Sequence, residues 1–281
     1  MKTAYLRIKN NLLLFVVLIT LPACATSNSY RGIEQQIVDD NFSGEYAYMA
    51  MMASNSYHKD EDKRNYFPIY KMGWQHYSLD GKLTDKPEIP TFVDSWNGLA
   101  YDIYKLKGTN KTVFSYRGTE GFWDWIFSNL AIGYSPAYSE AFKKFKKYKE
   151  SHSNESIYVT GHSLGGGIAL GVSVRNEGVK AVVFDPSPRI FNGVENHNKQ
   201  AERVVVYQER EILEFVRKGW TTIPKILDPK IVHKATCEFE KGKSSHRGDL
   251  LAECMLEMGE KVNSDLRPVW QYIKERKDLS P

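Results

Sequence analysis

The sequence is poor in the residues and patterns that mark several protein classes. Its 281 residues include only three cysteines, and no group of Cys, His or acidic residues has the spacing of a metal site. There is no internal repeat and no low-complexity tract. These absences argue against a repeat protein, and the spacing gives no indication of a metal site. With 42% hydrophobic residues, the chain is long enough for one sizeable α/β domain or two small ones, and its periodicity favours one.

The chain also lacks a long apolar run and a strong net charge. The apolar run at residues 12–19 is too short to span a bilayer comfortably as a mature helix, and it follows Lys2, Arg7 and Lys9. A basic start, a short apolar run and small residues are typical of an export signal. Removing residues 1–23 leaves 35 basic against 34 acidic residues. The sequence therefore gives no reason to expect a nucleic-acid partner.

Cys24 lies at the end of this signal. The tetrapeptide Leu21-Pro22-Ala23-Cys24 resembles a bacterial lipobox, in which the cysteine becomes the lipidated first residue of the mature protein. Pro22 is unusual there, so plain secretion and an uncleaved anchor stay open. We expect a signal peptide at 1–23, a polar tether at 24–40 and a folded domain at 41–281. The expected location is the bacterial cell envelope, on its periplasmic or outer surface, with the lipid anchor in a membrane.

Two further cysteines, Cys237 and Cys254, lie in the last third of the chain. In an oxidising compartment they could pair and close a loop there. Two free buried thiols are the alternative.

The segment at residues 156–170 carries the clearest motif. A short β-branched and aromatic run leads into Gly161-His162-Ser163-Leu164-Gly165, and a helical pattern of small residues follows. Strand, G-x-S-x-G turn and helix form a nucleophile elbow, which predicts that Ser163 is a catalytic nucleophile. An ordinary glycine-rich turn between strand and helix is the alternative.

Strand-like and helical segments alternate around this motif. This alternation predicts an α/β fold with a mostly parallel sheet and helices on both faces. The predicted strands are 98–105 and 111–116, joined as a hairpin, and 179–184 and 203–207. The predicted helices are 44–57, 136–151, 248–258 and a terminal helix from about 269. Residues 59–90 are expected to be an irregular surface crossing, and 215–243 a mixed insertion.

A serine nucleophile needs a histidine base, and three histidines follow Ser163 with room for a strand between. In hydrolase sheets of this kind the chain order is serine, acid, histidine. His197 comes before the third strand, and His233 lies in the poorly patterned insertion. His246 lies in a polar loop before a clear helix and is favoured. His162, within the elbow, is expected to pack or hydrogen-bond locally.

Two carboxylates, Asp185 and Glu211, each follow the carboxyl end of a predicted strand. Either placement is sterically reasonable for the acid that orients the histidine, and Glu209 is a weaker third candidate. Position along the chain does not choose between them.

Two motifs and a weaker third resemble the class-three lipases, the group that includes the secreted fungal lipases. The segment at 114–119, Phe-Ser-Tyr-Arg-Gly-Thr, is similar to that family's Phe-Arg-Gly-Thr/Ser strand, and 159–166 is similar to its elbow. The segment at 184–192 is a looser match to its Phe-Gly-x-Pro-Arg-x-Gly-Asn turn. The resemblance covers about residues 43–260.

This resemblance implies an α/β-hydrolase fold and ester hydrolysis on lipid-like substrates, with no cofactor. Thr119 matches the family's first oxyanion-hole residue, and Leu164, after the nucleophile, supplies the second backbone N–H. In that family the acid comes after the strand that follows the Pro-Arg turn, and Glu211 fits this position best. Asp185 occupies a position where the family has glycine. The usual aspartate is replaced by a glutamate here.

We therefore expect a serine hydrolase that cleaves carboxylic esters of lipids, acylglycerols or phospholipids, through Ser163, Glu211 and His246 and an acyl-enzyme. The region 220–234 is a candidate lid over an acyl pocket, or a surface loop. One alternative is a carboxylesterase or thioesterase for small esters. Another is a catalytically silent envelope lipoprotein that keeps the fold as a binding module.

Overall fold

A nine-stranded sheet forms the centre of the described part of the protein. The computed structural model describes residues 34–57, 66–84, 90–118, 135–187, 196–211, 213, 231–239 and 245–278. The strands are β1 (Glu34–Ile37), β2 (Trp74–Tyr77), β3 (Phe92–Val93), β4 (Ala100–Leu106), β5 (Lys111–Tyr116), β6 (Ser156–His162), β7 (Lys180–Phe184), β8 (Arg203–Gln208) and β9 (Ile231–Ala235).

The sheet is mixed and mostly parallel, as predicted. Its order is β1-β9-β8-β7-β6-β5-β4-β2, and β3 pairs with the start of β4. All pairs from β1 to β5 are parallel, whereas β4 runs antiparallel to β5 and β2 antiparallel to β4. The carboxyl ends of β5 to β9 therefore meet at one edge, where ligands of such sheets bind.

Five α-helices are present in the described residues: α1 (Asp40–Asn55), α2 (Pro136–Ser151), α3 (Leu164–Arg175), α4 (Gly248–Gly259) and α5 (Arg267–Asp278). The side chain of Asp39 caps α1 by accepting a hydrogen bond from Phe42 N at 2.8 Å. Pro136 starts α2, where its missing N–H costs no helical hydrogen bond. No helix within the described ranges has the length and apolar character needed to cross a membrane.

Helices cover both faces of the sheet, because successive strand residues point to opposite sides. Val113 belongs to the apolar core shared with α1 and α4. The next residue, Phe114, packs against α2, with its ring centroid 5.1 Å from that of Phe145 and 4.8 Å from that of Tyr148. This arrangement confirms the predicted α/β-hydrolase architecture.

Three short strands differ from the sequence-based expectations. β1 lies within the expected tether at 24–40, so the folded domain begins no later than Glu34. β2 lies within the expected irregular crossing, and β9 within the expected insertion. Each has four or five residues and includes polar ones, and its pairing rests on backbone hydrogen bonds. A hydrophobic pattern cannot reveal strands of this kind.

Several predicted features lie outside the described residues. They are the signal at 1–23, Cys24, Thr119 and most of the candidate lid at 220–234.

Candidate active site

Ser163 lies in a strained turn between β6 and α3. Its φ is 58° and its ψ is −125°, a conformation that costs a non-glycine residue free energy and is common at functional sites. Ser163 N donates to Phe184 O at 3.1 Å, and Ser187 N donates to Ser163 O at 2.8 Å. These bonds tie the elbow to the end of β7 and hold the strained residue in place. Ser163 is only 2% exposed.

The two glycines around Ser163 are required by backbone packing. A Cβ on Gly161 would lie 2.5 Å from the carbonyl carbon of Gly165 and 2.7 Å from Tyr116 O. A Cβ on Gly165 would overlap the carbonyl of Tyr116. No side chain fits at either position, so β6, α3 and the end of β5 can approach only because both residues are glycine.

The backbone N–H of Leu164 is available next to the nucleophile. Leu164 is the first residue of α3, and the first four N–H groups of a helix have no intrahelical acceptor. The positive end of the helix dipole lies at the same place. The other predicted oxyanion residue, Thr119, is not described, but Gly118 before it packs so closely that a Cβ would lie 3.0 Å from His162 O.

Glu211, which is buried, and His246, which is half-buried, form a hydrogen-bonded pair at the same edge of the sheet. His246 Nδ1 lies 2.8 Å from Glu211 Oε2, and Glu211 is 2% exposed. Leu213 N donates to the same Oε2 at 2.8 Å, which fixes the carboxylate. Ser245 Oγ donates to Arg210 O at 3.0 Å and joins the two loops.

His246 reaches the elbow through its contact with His162. The two rings pack with centroids 4.7 Å apart, and His162 directly precedes Ser163. Tyr57 Oη donates to His162 O at 3.1 Å and lies 3.2 Å from Nδ1, so the local hydrogen bonding expected of His162 is present. A Cβ on Gly248 would lie 2.9 Å from His162 Cγ, so glycine there makes room for the ring. No pattern in the sequence indicates that these two histidines touch.

Asp185, the other candidate acid, makes different contacts. It is fully buried with a φ of 41°, and its Oδ1 accepts from Gln208 N at 2.8 Å. Its Oδ2 lies 3.8 Å from His162 Nε2. The third candidate, Glu209, pairs with Lys234 at 2.9 Å. Of the three carboxylates, Glu211 makes the short hydrogen bond to His246.

The other two candidate histidines, His233 and His197, contact other parts of the protein. His233 lies within β9 and stacks on Phe42 with ring centroids 4.0 Å apart. Burial lowers the pKa of His233, an effect that Asp39 partly opposes. His197 N donates to Val174 O, close to the C-terminal end of α3 and away from the elbow.

A disulfide joins Cys237 to Cys254 across a separation of 17 residues. It resolves the open question of whether these thiols are paired. Cys237 follows β9 and Cys254 lies in α4, so the closed loop contains His246.

Replacing both cysteines with serine is expected to lower the free energy of unfolding by about 3 kcal/mol, because a loop of this length is then free in the unfolded chain. Activity should fall as well, since the loop that carries His246 loses an anchor. Urea unfolding and a kinetic assay measure the two effects. Wild-type protein kept in a reducing agent should show the same loss, and unchanged midpoints in both samples would contradict the expectation.

The mostly parallel sheet, the strained serine elbow and the hydrogen-bonded pair of a buried acid and a histidine define an ester hydrolase of the α/β-hydrolase fold. Residues 48–226 match the model of a phospholipase-like family, the Tle-like phospholipase domain, and the chain belongs to that family. The match includes Ser163 and Glu211 and ends before His246. No curated protein matches the sequence.

Solved lipases resemble the chain distantly. The Rhizopus microsporus var. chinensis lipase is 16% identical with a TM-score of 0.43, and the match covers 62% of this chain and 68% of the lipase. For Yarrowia lipolytica lipase Lip2 the identity is 14% and the TM-score 0.39, over 66% and 78% of the two chains. For the Rhizomucor miehei lipase–propeptide complex they are 16% and 0.38, over 70% and 72%.

Proposed function

We propose that this protein is a phospholipase that removes acyl chains from phospholipids through Ser163, His246 and Glu211. The observation that carries the proposal is the 2.8 Å hydrogen bond between Glu211 Oε2 and His246 Nδ1, on a histidine whose ring packs against the residue before Ser163. A histidine oriented by a buried carboxylate next to a strained serine is the arrangement of nucleophilic acyl transfer.

The hydrogen bond to Glu211 sets the chemistry of the imidazole. When Nδ1 keeps its proton and donates it in a hydrogen bond to Glu211, Nε2 carries the lone pair and can take the proton of Ser163. The serine oxygen then bonds to the ester carbonyl carbon, and the bond to the leaving alcohol breaks as His246 returns the proton to it. Water, deprotonated by His246, next attacks the acyl-enzyme and releases a fatty acid.

The oxyanion of each tetrahedral intermediate needs hydrogen-bond donors. The N–H of Leu164 at the start of α3 is one, and the resemblance to class-three lipases assigns the second to Thr119. Both donors act on charge that forms during the reaction, and losing one typically costs about 10²–10³ in rate.

Two features support a phospholipid over a small ester. The matching family is phospholipase-like, and the matched residues 48–226 include Ser163 and Glu211. The Cys24 motif is expected to hold the enzyme at a membrane, where phospholipid is the abundant ester. Acylglycerols share the same carboxylic ester and are the second lipid substrate to compare.

A short-chain phosphatidylcholine tests the substrate class. We expect the rate to rise several-fold as its concentration passes the critical micelle concentration, because the enzyme meets its substrate at an interface. Tributyrin and p-nitrophenyl acetate serve as the acylglycerol and small-ester controls. Rapid hydrolysis of p-nitrophenyl acetate with none of phosphatidylcholine would show a small-ester esterase instead.

We also propose that Cys24 carries a lipid anchor in the bacterial envelope. The basic and apolar residues before it support export, and a disulfide fits an oxidising compartment. Growth with a clickable palmitate analogue should label the wild type and leave Cys24→Ala unlabelled and absent from the membrane fraction. Equal labelling of both would remove Cys24 from the attachment.

A further inference from the structure

Three side chains with metal-binding atoms meet beside the Glu211–His246 pair. They are His162, Asp185 and His246, and one ligand atom of each lies within 4.8 Å of the other two. His162 Nε2 is 3.8 Å from Asp185 Oδ2, and the two imidazole rings pack with centroids 4.7 Å apart. His162 is the last residue of β6, Asp185 follows β7 and His246 precedes α4, so the fold alone brings them together.

The hydrolytic mechanism uses His246 but gives no role to His162 or Asp185. Asp185 is fully buried, and its backbone has a φ of 41°, which few residues other than Gly, Asn and Asp adopt readily. The bond from Gln208 N to Oδ1 fixes this carboxylate, and Oδ2 lies on the side of His162.

We propose that His162, Asp185 and His246 bind a zinc ion, and that its binding switches the hydrolase off. Two imidazoles and one carboxylate are a common zinc ligand set, with water completing the tetrahedron. Imidazole ligands also favour zinc over magnesium and calcium, which prefer oxygen.

The observed distances between the three ligand atoms would suit tetrahedral zinc after a small contraction of the cluster. Zinc–ligand bonds of about 2.0–2.1 Å place tetrahedral ligand atoms roughly 3.4 Å apart. The His162–Asp185 pair is already near this value at 3.8 Å. His246 needs to approach by no more than roughly 1.4 Å on the same geometry, and it is carried by a loop rather than by a helix or strand.

Zinc binding and hydrolysis exclude each other at His246. The imidazole needs one nitrogen for Glu211 and the other for the proton of Ser163. A metal on either nitrogen removes one of these two functions. The inhibition rests on the proposed function, whereas zinc binding rests on the geometry alone.

Binding is tested on full-length Ser163→Ala by isothermal titration calorimetry with zinc chloride. We expect zinc to bind, and Asp185→Asn to weaken the zinc affinity at least about tenfold. Losing even a residue that only hydrogen-bonds to a zinc ligand typically costs about 10–100-fold in affinity. Asparagine keeps the shape of aspartate and tolerates the positive φ. Glu209→Gln, the same change outside the cluster, should leave the site intact. No zinc site in Ser163→Ala, or equal affinity with and without Asp185→Asn, would overturn the proposal.

Inhibition is tested on the active enzyme. Zinc should abolish hydrolysis and slow fluorophosphonate labelling of Ser163, and EDTA should restore both. Asp185→Asn and His162→Asn should each need at least about tenfold more zinc for the same effect. Equal zinc sensitivity in wild type and both variants would place the inhibition elsewhere. If zinc binding depended on Asp185 but the wild-type protein showed no hydrolytic activity, the zinc site would stand and the proposed function would be rejected.

Discussion

Ser163→Ala is expected to lower the rate of phospholipid hydrolysis by about 10⁶-fold, the scale measured when a triad serine is removed. The hydroxyl is the atom that bonds to the acyl carbon, and no neighbouring side chain can take its place in the strained turn. The variant should fold normally, because Ser163 Oγ makes no hydrogen bond within the described residues and alanine fits the same space. Fatty-acid release from vesicles measures the rate.

A fluorophosphonate probe provides the control for this variant. The wild type should be labelled once per chain, and Ser163→Ala should not be labelled. Thermal unfolding of both proteins checks that the fold is kept. Equal labelling in both proteins, or none in either, would remove Ser163 from the mechanism and favour a silent hydrolase-fold lipoprotein.

Glu211→Ala should have the second largest effect, a loss in kcat on the order of 10⁴-fold, as for the triad acid of subtilisin. Alanine removes both the acceptor that fixes the His246 tautomer and the charge that stabilises its protonated form. Glu211→Gln should lose less. Leu213 N and His246 Nδ1 both bond to Oε2, so one amide oxygen can accept from both while only the negative charge is lost.

Asp185→Asn is the matched control, because it changes the rival carboxylate in the same way. We expect its rate to stay within a few-fold of the wild type, since Glu211 Oε2 makes the 2.8 Å hydrogen bond to His246 Nδ1, whereas Asp185 Oδ1 accepts from Gln208 N. If Asp185→Asn instead lost kcat on the order of 10⁴-fold while Glu211→Ala kept the wild-type rate, the acid would be Asp185. A pH profile of kcat/KM adds a second readout. The acidic limb of this profile is set by His246, and loss of the negative charge of Glu211 should move it, whereas Asp185→Asn should not.

Local chemistry made much of the fold predictable. The helix at Pro136–Ser151 begins and ends where its sequence pattern does, and the predicted hairpin is β4 and β5. Such elements carry a full hydrophobic period and clear turn residues. β2 and β9 are short and partly polar, and their neighbours in the sheet decide their conformation.

The elbow follows from local sequence. The turn between the strand and the helix is so tight that the residues two before and two after the serine can carry no side chain. Gly161 and Gly165 satisfy this requirement, and both lie within a few residues of Ser163 along the chain. Which acid contacts which histidine depends instead on how distant segments pack together. Glu211 and His246 are 35 residues apart along the chain, and so their hydrogen bond depends on the register of β8 and on the loop that the disulfide closes. The contact of His162 and Asp185 with that histidine likewise exists only at the shared edge of the sheet, where distant loops converge.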